Sequence, residues 1–286
     1  MRARIRCGWE LFKKSWMLVR HEKKLLVFPA AAIAVAYVYG FGLTAIAMAA
    51  GWEPYSWQWL ALAAAVLYPL SFVVTFFGVA FVAMAQRALD REPVTFAGGF
   101  RCALARLRPI AAWALLSAGV GLLLQVLQTI RIGWVASWVT SALAGLAWTA
   151  VAFFAVPVLA IEDTGAVETL KRSARTFRQR WGEEFTGVTA LAVFMIVALV
   201  PVMVIGWIAA PVMLVSIPAG VTLMVAAFLL MVAAIILVTT MTQLFSLVLY
   251  RYATTGVVPG EFTKQELDGA FNKRRGLAKR LFRRRA

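Results

Sequence analysis

The sequence predicts an all-α integral membrane protein with six transmembrane helices, arranged as three repeated hairpins, and a basic C-terminal helix. A cytoplasmic amphipathic helix is predicted before each hairpin. The first observation is composition: the 286 residues are 62% hydrophobic, with a mean hydropathy of +0.81. The second is a set of six apolar stretches that contain no Asp, Glu, Lys, Arg or His, each long enough for the ~20 residues that cross a bilayer as helix. The third is that the 29 Lys and Arg residues lie between these stretches.

Each apolar stretch is predicted to be one span, so the membrane domain covers residues 25–250. Pro69, Pro157 and Pro201 lie within or near the ends of spans, where proline kinks or breaks a helix. The sixth stretch would be about 48 Å long as a helix, at 1.5 Å per residue. We therefore expect it to tilt, to kink or to project into the cytoplasm. The predicted spans are 25–50, 57–85, 110–130, 134–161, 186–209 and 219–250.

The distribution of positive charge predicts the orientation. In chain order, the segments outside the spans carry 8, 0, 5, 1, 5, 0 and 10 Lys and Arg residues. Basic residues concentrate on the cytoplasmic side of membrane proteins, so both termini are predicted to be cytoplasmic. Ala-rich spans with inside-positive loops indicate a prokaryotic plasma membrane. The net charge of +16 therefore indicates attraction to the anionic inner leaflet, and we do not expect nucleic acid as a partner.

The cytoplasmic segments are predicted to form amphipathic helices at the membrane interface. In residues 1–24 and in residues 162–185, apolar side chains recur every three or four positions while Lys and Arg take the other faces. Residues 96–107 show a weaker stripe of the same kind. Such helices can lie in the headgroup region, or they can pack on the cytoplasmic ends of the spans. The sequence leaves both alternatives open. The apolar stripe of the third segment consists of Val167, Leu170, Ala174, Phe177 and Trp181.

An internal repeat accompanies these helices. Residues 10–15 (ELFKKS) match residues 168–173 (ETLKRS), and residues 100–103 (FRCA) form a degenerate middle copy. Each copy precedes two spans, so the three copies are parallel. The inverted repeats of many secondary transporters are therefore not indicated.

Several of these motifs resemble those of known families. Residues 153–159 (FFAVPVL), Glu162, residues 168–173 and residues 181–183 (WGE) are similar to uncharacterised bacterial six-span membrane families with a domain of unknown function. These families are distantly similar to the membrane domain of glycerophosphodiester phosphodiesterases. The resemblance extends over most of residues 8–252 and implies no reaction. Because the soluble phosphodiesterase domain is not part of this sequence, we do not expect that activity.

No catalytic, cofactor-binding or metal-binding residue is predicted, and we expect a protein that is not an enzyme. Proton relays and intramembrane proteases usually place titratable groups inside the spans, and none lies there. The single histidine, His21, lies in a basic interfacial segment, and HExxH and Walker motifs are absent. Glu168 is expected to pair with Arg172 on one helix face. A metal site shared by Glu162 and its acidic neighbours is conceivable, but nothing in the sequence brings them together.

Two sets of residues are candidate binding sites. In the basic tail, residues 251–286, a capping box of Thr263 and Glu266 opens a predicted helix. Thr239, Gln243 and Ser246 form a polar stripe on the sixth span, which indicates either close helix packing or a polar groove. The residues predicted to contact the lipid surface are Lys13, Lys14, Lys171, Arg175, Arg178, Lys273, Arg274, Arg275, Lys279, Arg280, Arg283, Arg284 and Arg285.

The sequence therefore supports two hypotheses of function. The first is a non-enzymatic plasma-membrane protein that organises lipids or partner proteins through its basic interfacial helices, with a membrane-protein partner or a second copy as further ligands. The second is a transporter, an exporter component or a lipid-handling permease that works without a buried charge.

Overall fold

A computed structural model describes residues 13, 16–51, 57–129, 134–162, 164–181 and 186–256 of the chain. These residues belong to two compact units. The larger unit is Glu22–Phe177, and the other joins Met1–His21 with Arg178–Ala286. All regular secondary structure in the described residues is helical, and six of the helical segments are long and apolar enough to span a membrane. The tail from residue 257 onward, Lys14 and most of the N-terminal segment lie outside the described residues.

Among the described residues, the larger unit contains six whole α-helices and most of a seventh, whose last four residues belong to the other unit. After a 3₁₀ helix at Lys23–Leu26, they are α1 (Val27–Ala49), α2 (Trp57–Leu89), α3 (Phe96–Ala105), α4 (Leu107–Thr129), α5 (Trp134–Ala152), α6 (Ala155–Ile161) and α7 (Ala166–Trp181). Helix α2 is central because it packs against α1, α3, α4 and α6. Its C-terminal half, with Val79, Phe81 and Met84 fully buried, supplies much of the core.

Aromatic side chains join α1, α2 and α3 at one end of this unit. The Phe28 ring lies 6.0 Å from Phe77 and 6.2 Å from Phe96, and Phe76 contacts Phe100 at 5.2 Å. Helix α3 approaches closely because Gly99 has no side chain: a Cβ there would lie 2.7 Å from the Ala80 carbonyl oxygen. Gly99 therefore allows α3 to pack closely against α2.

Pro69 leaves a carbonyl inside α2 without its usual partner. Proline has no N–H, so the carbonyl of Ala65, four residues earlier, cannot form its intrahelical hydrogen bond. The Tyr39 hydroxyl of α1 donates to this carbonyl at 2.9 Å. An unsatisfied backbone group in an apolar environment is costly, and this bond satisfies the Ala65 carbonyl. It also joins α1 to α2 at the place where α2 lacks a backbone hydrogen bond.

Pro157 interrupts the fourth span, which the sequence predicts as one stretch from 134 to 161. In a continuous helix, the Pro157 ring would clash with the carbonyl of Phe153, four residues earlier. Helix α5 accordingly ends at Ala152, a turn follows at Phe153 and Phe154, and α6 begins at Ala155. The first backbone bond after the turn runs from the Val158 N–H to the Phe154 carbonyl at 3.0 Å.

The second unit contains the hairpin of α8 (Thr186–Val215) and α9 (Ile217–Thr255). Small buried residues recur every seven positions along α9, at Gly220, Ala227 and Ala234. A Cβ on Gly220 would lie 2.6 Å from the Met213 Cα, so the two helices are in close contact near the turn. A seven-residue repeat places these residues along one seam, as in coiled coils.

Helix α9 is continuous over its 39 residues, about 58 Å at 1.5 Å per residue. The helix is therefore not interrupted, and it is longer than a ~30 Å hydrocarbon core; the alternatives of tilt, kink and projection into the cytoplasm remain predictions. Residues 244–250 are all buried, whereas most side chains before residue 231 are exposed. Seven consecutive buried residues cover every face of a helix, so no face of α9 is exposed in this stretch.

We expect Tyr39→Phe to lower the free energy of unfolding by roughly 0.6–1.5 kcal/mol, because the Ala65 carbonyl loses its donor. In a Pro69→Ala background the residue 69 N–H can bond that carbonyl, so the same change should have little effect. Tyr68→Phe is the control. Denaturant unfolding in mixed micelles measures the cycle, and equal losses in both backgrounds would contradict the proline-based explanation.

Candidate membrane-interface site

Helices α3 and α7 each bury a pair of small residues that are four positions apart. In α3 the pair is Gly99 and Ala103, and in α7 it is Thr169 and Ser173, both fully buried. Residues four apart lie on the same helix face. We call Thr169 and Ser173 the docking arc of α7.

Ser173 satisfies the backbone at the break in the fourth span. Its hydroxyl donates to the carbonyl of Val151, and it accepts a hydrogen bond from the Phe154 N–H at 3.1 Å. Thr169 hydrogen-bonds Thr164 at 3.0 Å, which fixes the start of α7. The position of α7 therefore depends on a hydroxyl at residue 173, because a methyl group could neither donate nor accept.

Arg106 caps the C-terminal end of α6. Its guanidinium donates to the carbonyl of Leu159 at 2.9 Å, to that of Ile161 at 3.5 Å and to that of Glu162. The last carbonyls of a helix lack intrahelical donors and carry partial negative charge, so a guanidinium stabilises them. The sequence identified Arg106 only as one of five cytoplasmic basic residues. The segments it joins are more than fifty residues apart, and no local pattern indicates their contact.

Glu162 and Arg172 form an ion pair next to this cap. The Arg172 Nε lies 2.7 Å from a Glu162 carboxylate oxygen. The sequence predicted Glu168 as the partner of Arg172, and the structure corrects that prediction. Glu162 follows the last residue of α6, so this pair brings the start of α7 to the end of α6. Asp163 lies outside the described residues, and the described part of the chain contains no cluster of three metal-ligating side chains.

The apolar stripe of α7 is not its most buried face. Val167 is 59% exposed, and Leu170, Ala174 and Phe177 are half-buried. At about 100° per residue, this apolar arc is centred about 100° around the helix from the docking arc. Lys171, Arg175 and Arg178 are exposed and form a cationic arc on the side opposite the docking arc.

Helix α3 has the same arrangement at positions 70 residues earlier. Gly99 and Ala103 correspond to Thr169 and Ser173, and Arg101 corresponds to Lys171. Its apolar side chains Phe96, Phe100 and Leu104 are each at least 40% exposed, and Phe96 and Phe100 also contact Phe28 and Phe76. Ala105, also exposed, stands where α7 has Arg175.

The remaining predicted residues are not brought to this site. Lys13 is exposed and belongs to the other compact unit. Lys14 and the eight predicted tail residues lie outside the described residues.

One residue of the polar stripe of α9, Ser246, and two neighbouring threonines bond to their own helix. Ser246 is buried, and its hydroxyl donates to the Gln243 carbonyl at 2.9 Å. The hydroxyls of Thr240 and Thr242 donate to carbonyls four residues earlier. Thr239 and Gln243 are half-buried, and within the described residues the Gln243 Oε1 has no hydrogen-bond partner. Most of these hydroxyls are therefore already satisfied.

A shallow apolar groove of about 340 Å³ lies between α1 and α2. The rings of Tyr37 and Phe41 stack at 5.7 Å along it, and the Thr44 hydroxyl bonds the Gly40 carbonyl at 2.8 Å. The lining residues are Ala36, Tyr37, Gly40, Phe41, Thr44 and Val66.

We expect Ser173→Ala to destabilise the protein by about 1–3 kcal/mol, because the Phe154 N–H and the Val151 carbonyl lose a buried partner. Arg106→Gln should cost a similar amount through loss of the charged cap. Thr176→Ala on α7 and Arg108→Gln on α4 are matched controls with no comparable contact among the described residues. Thermal unfolding followed by tryptophan fluorescence measures all four. Losses no larger than those of the controls would show that α7 is held by other contacts.

Comparison with known proteins adds a family but no activity. Residues 60–260 match DUF6159, a family of unknown function, and no curated protein or solved structure matches the chain. The resemblance to an uncharacterised family is therefore confirmed, whereas the bacterial origin and the link to the phosphodiesterase membrane domain remain predictions. The matched segment begins in α2 and ends after α9, so it includes the break at Pro157 and both α3 and α7. Since this match covers well over half of the sequence, the chain belongs to the family DUF6159.

Proposed function

We propose that this protein is a non-enzymatic plasma-membrane protein that organises lipids and partner proteins through basic helices at the cytoplasmic interface. The observation that carries the proposal is the division of α7 into three arcs. The docking arc is used for contact with the protein, so the apolar and cationic arcs are left for other ligands. At a membrane surface, hydrocarbon lies next to phosphate. The apolar arc would contact the hydrocarbon and the cationic arc would contact the phosphates.

The burial pattern supports an interfacial position for α7 over packing of its apolar stripe on the spans. If the stripe packed on the bundle, Leu170, Ala174 and Phe177 would be the most buried residues of the helix. Thr169 and Ser173 are the most buried instead. The corresponding pattern in α3 supports the three-copy arrangement of interfacial helix and hairpin that we propose for the whole chain.

Electrostatics supports the cytoplasmic leaflet as the target. The one-sided net charge of +16 would face the anionic inner leaflet of a prokaryotic plasma membrane, with both termini in the cytoplasm. Arg106 and Arg172 are engaged in protein contacts. The cations of these helices that we assign to lipid are therefore Arg101, Lys171, Arg175 and Arg178, and the basic tail would add to them.

The hydrogen bonding of α9 favours this proposal over a transporter. A transport pathway without charged residues needs polar groups that can exchange partners with a substrate. The hydroxyls of Thr240, Thr242 and Ser246 donate to backbone carbonyls of their own helix. They contribute to helix stability, so among the described residues only Thr239 and Gln243 of the stripe remain for a substrate.

Spin labels on α7 test the interfacial position. In full-length protein with Cys7 and Cys102 replaced by Ser, labels at Val167 and Ala174 should collide with oxygen, which concentrates in the bilayer. Labels at Lys171 and Arg175 should collide with a water-soluble nickel chelate, because the cationic arc faces the headgroups. Thr176 serves as a control position near the docking arc. Equal chelate accessibility on the apolar and cationic arcs would refute the proposal.

Thiol labelling tests the orientation. Cys7 and Cys102 both belong to segments predicted to be cytoplasmic. We expect both to resist a membrane-impermeant maleimide in intact cells and to react after permeabilisation. A cysteine introduced at Ser56, in the predicted first external turn, should react in intact cells and serves as the positive control. Labelling of Cys102 in sealed cells would reverse the topology and would remove the inner leaflet as the target.

A further inference from the structure

We infer that Lys171 and Arg175 form a headgroup site for an anionic phospholipid that carries two phosphates on one headgroup. This inference rests on the proposed function and adds the class of lipid. It starts from the spacing of the two cations, which are four residues apart on one helix. Their Cα atoms are therefore separated by about 6 Å along the axis and lie on the same face.

Neither cation forms an ion pair within the described part of the chain. Both are exposed, and the one nearby ion pair is formed by Arg172 with Glu162. Glu168 lies one turn before Lys171 and makes no ion pair with it among the described residues. Like charges four residues apart destabilise a helix by several tenths of a kcal/mol. A ligand with two linked anions relieves this repulsion at both positions.

The apolar arc beside the cations provides a surface for acyl chains. Leu170, Ala174 and Phe177 follow the same helix face for about 10 Å, at 1.5 Å per residue. A headgroup on the cationic arc would place its chains against these half-buried side chains, which remain accessible. Basic sites on the cytoplasmic side of membrane proteins bind headgroups that carry several phosphates in this manner.

Helix α3 supplies an internal comparison. It has Arg101 at the position of Lys171, but Ala105 replaces Arg175. The next cation of that segment, Arg106, is bonded to carbonyls at the end of α6, and Arg108 lies on α4, beyond the end of α3. The apolar arcs of α3 and α7 are alike, so the adjacent cation pair is the feature that distinguishes them. We therefore expect α7, and not α3, to discriminate between lipids with one and two phosphates.

The experiment measures lipid binding to the full-length protein by native mass spectrometry. The probes are phosphatidylcholine, phosphatidylglycerol and diphosphatidylglycerol, the last at half the concentration so that the anionic charge is equal. Each surface cation contributes a factor of about five to the binding of an anion. We expect diphosphatidylglycerol to bind about fivefold more tightly than phosphatidylglycerol, because it contacts a second cation.

The variants separate this site from general charge. Lys171→Gln with Arg175→Gln should remove the preference, whereas Arg101→Gln with Arg108→Gln, which removes the same charge, should weaken both anionic lipids alike. Ala105→Arg should add a second preferred lipid per protein. Unchanged thermal unfolding in phosphatidylcholine verifies that each variant is folded.

Two results would overturn the assignment: equal affinity for the two anionic lipids at matched charge, or an undiminished preference in the Lys171→Gln, Arg175→Gln variant. In either case the proposed function stands if both anionic lipids still bind more tightly than phosphatidylcholine. Binding that is equal for all three lipids would refute the proposed function itself.

Discussion

The architecture of the larger unit depends on satisfying backbone groups that prolines release inside apolar helices. Water is not available in the hydrocarbon core, so a carbonyl without a donor must find one from a side chain. Tyr39 supplies the donor for the Ala65 carbonyl near Pro69. At the break caused by Pro157, Ser173 bonds both sides of the turn, and Arg106 caps the helix that follows. Each of these contacts joins elements that are distant in sequence.

The break in the fourth span also determines which face of α7 packs against the protein. A hydroxyl must reach the turn at Phe153 and Phe154, so the small polar side of α7 faces the protein. The apolar side chains of α7 are about 100° away around the helix and cannot occupy the same contact. In water such an arrangement would expose an unfavourable apolar surface. Beside a bilayer the same surface would gain hydrocarbon contact, so the local hydrogen bonding is compatible with the interfacial position that we propose.

Composition was sufficient to predict the coarse fold, because burial in lipid imposes long apolar stretches that any hydropathy pattern reveals. Six helices long enough to span a membrane are present in the described residues, as predicted. The partners of Arg106 and Ser173 could not be predicted, since they lie on other elements of the chain. The buried face of α7 was also not predictable: periodicity identifies Leu170 and Phe177 as the apolar side, but it does not say whether protein or lipid covers that side. Thr169 and Ser173 carry no apolar signal at all.

Basic residues of the cytoplasmic segments are equivalent in a topology prediction, yet the structure gives them different physical roles. Arg106 binds carbonyls, Arg172 pairs with Glu162, and Lys171 and Arg175 are exposed without an ion-pair partner among the described residues. A cation that is already hydrogen-bonded within the protein contributes less to attraction of an anionic surface, because moving it would break those bonds. The charge that α3 and α7 would offer to lipid is therefore smaller than their count of basic residues, and most of it lies on one arc of α7. The selectivity among anionic lipids that we propose depends on the position at which two exposed cations are adjacent. Net charge alone does not determine that position.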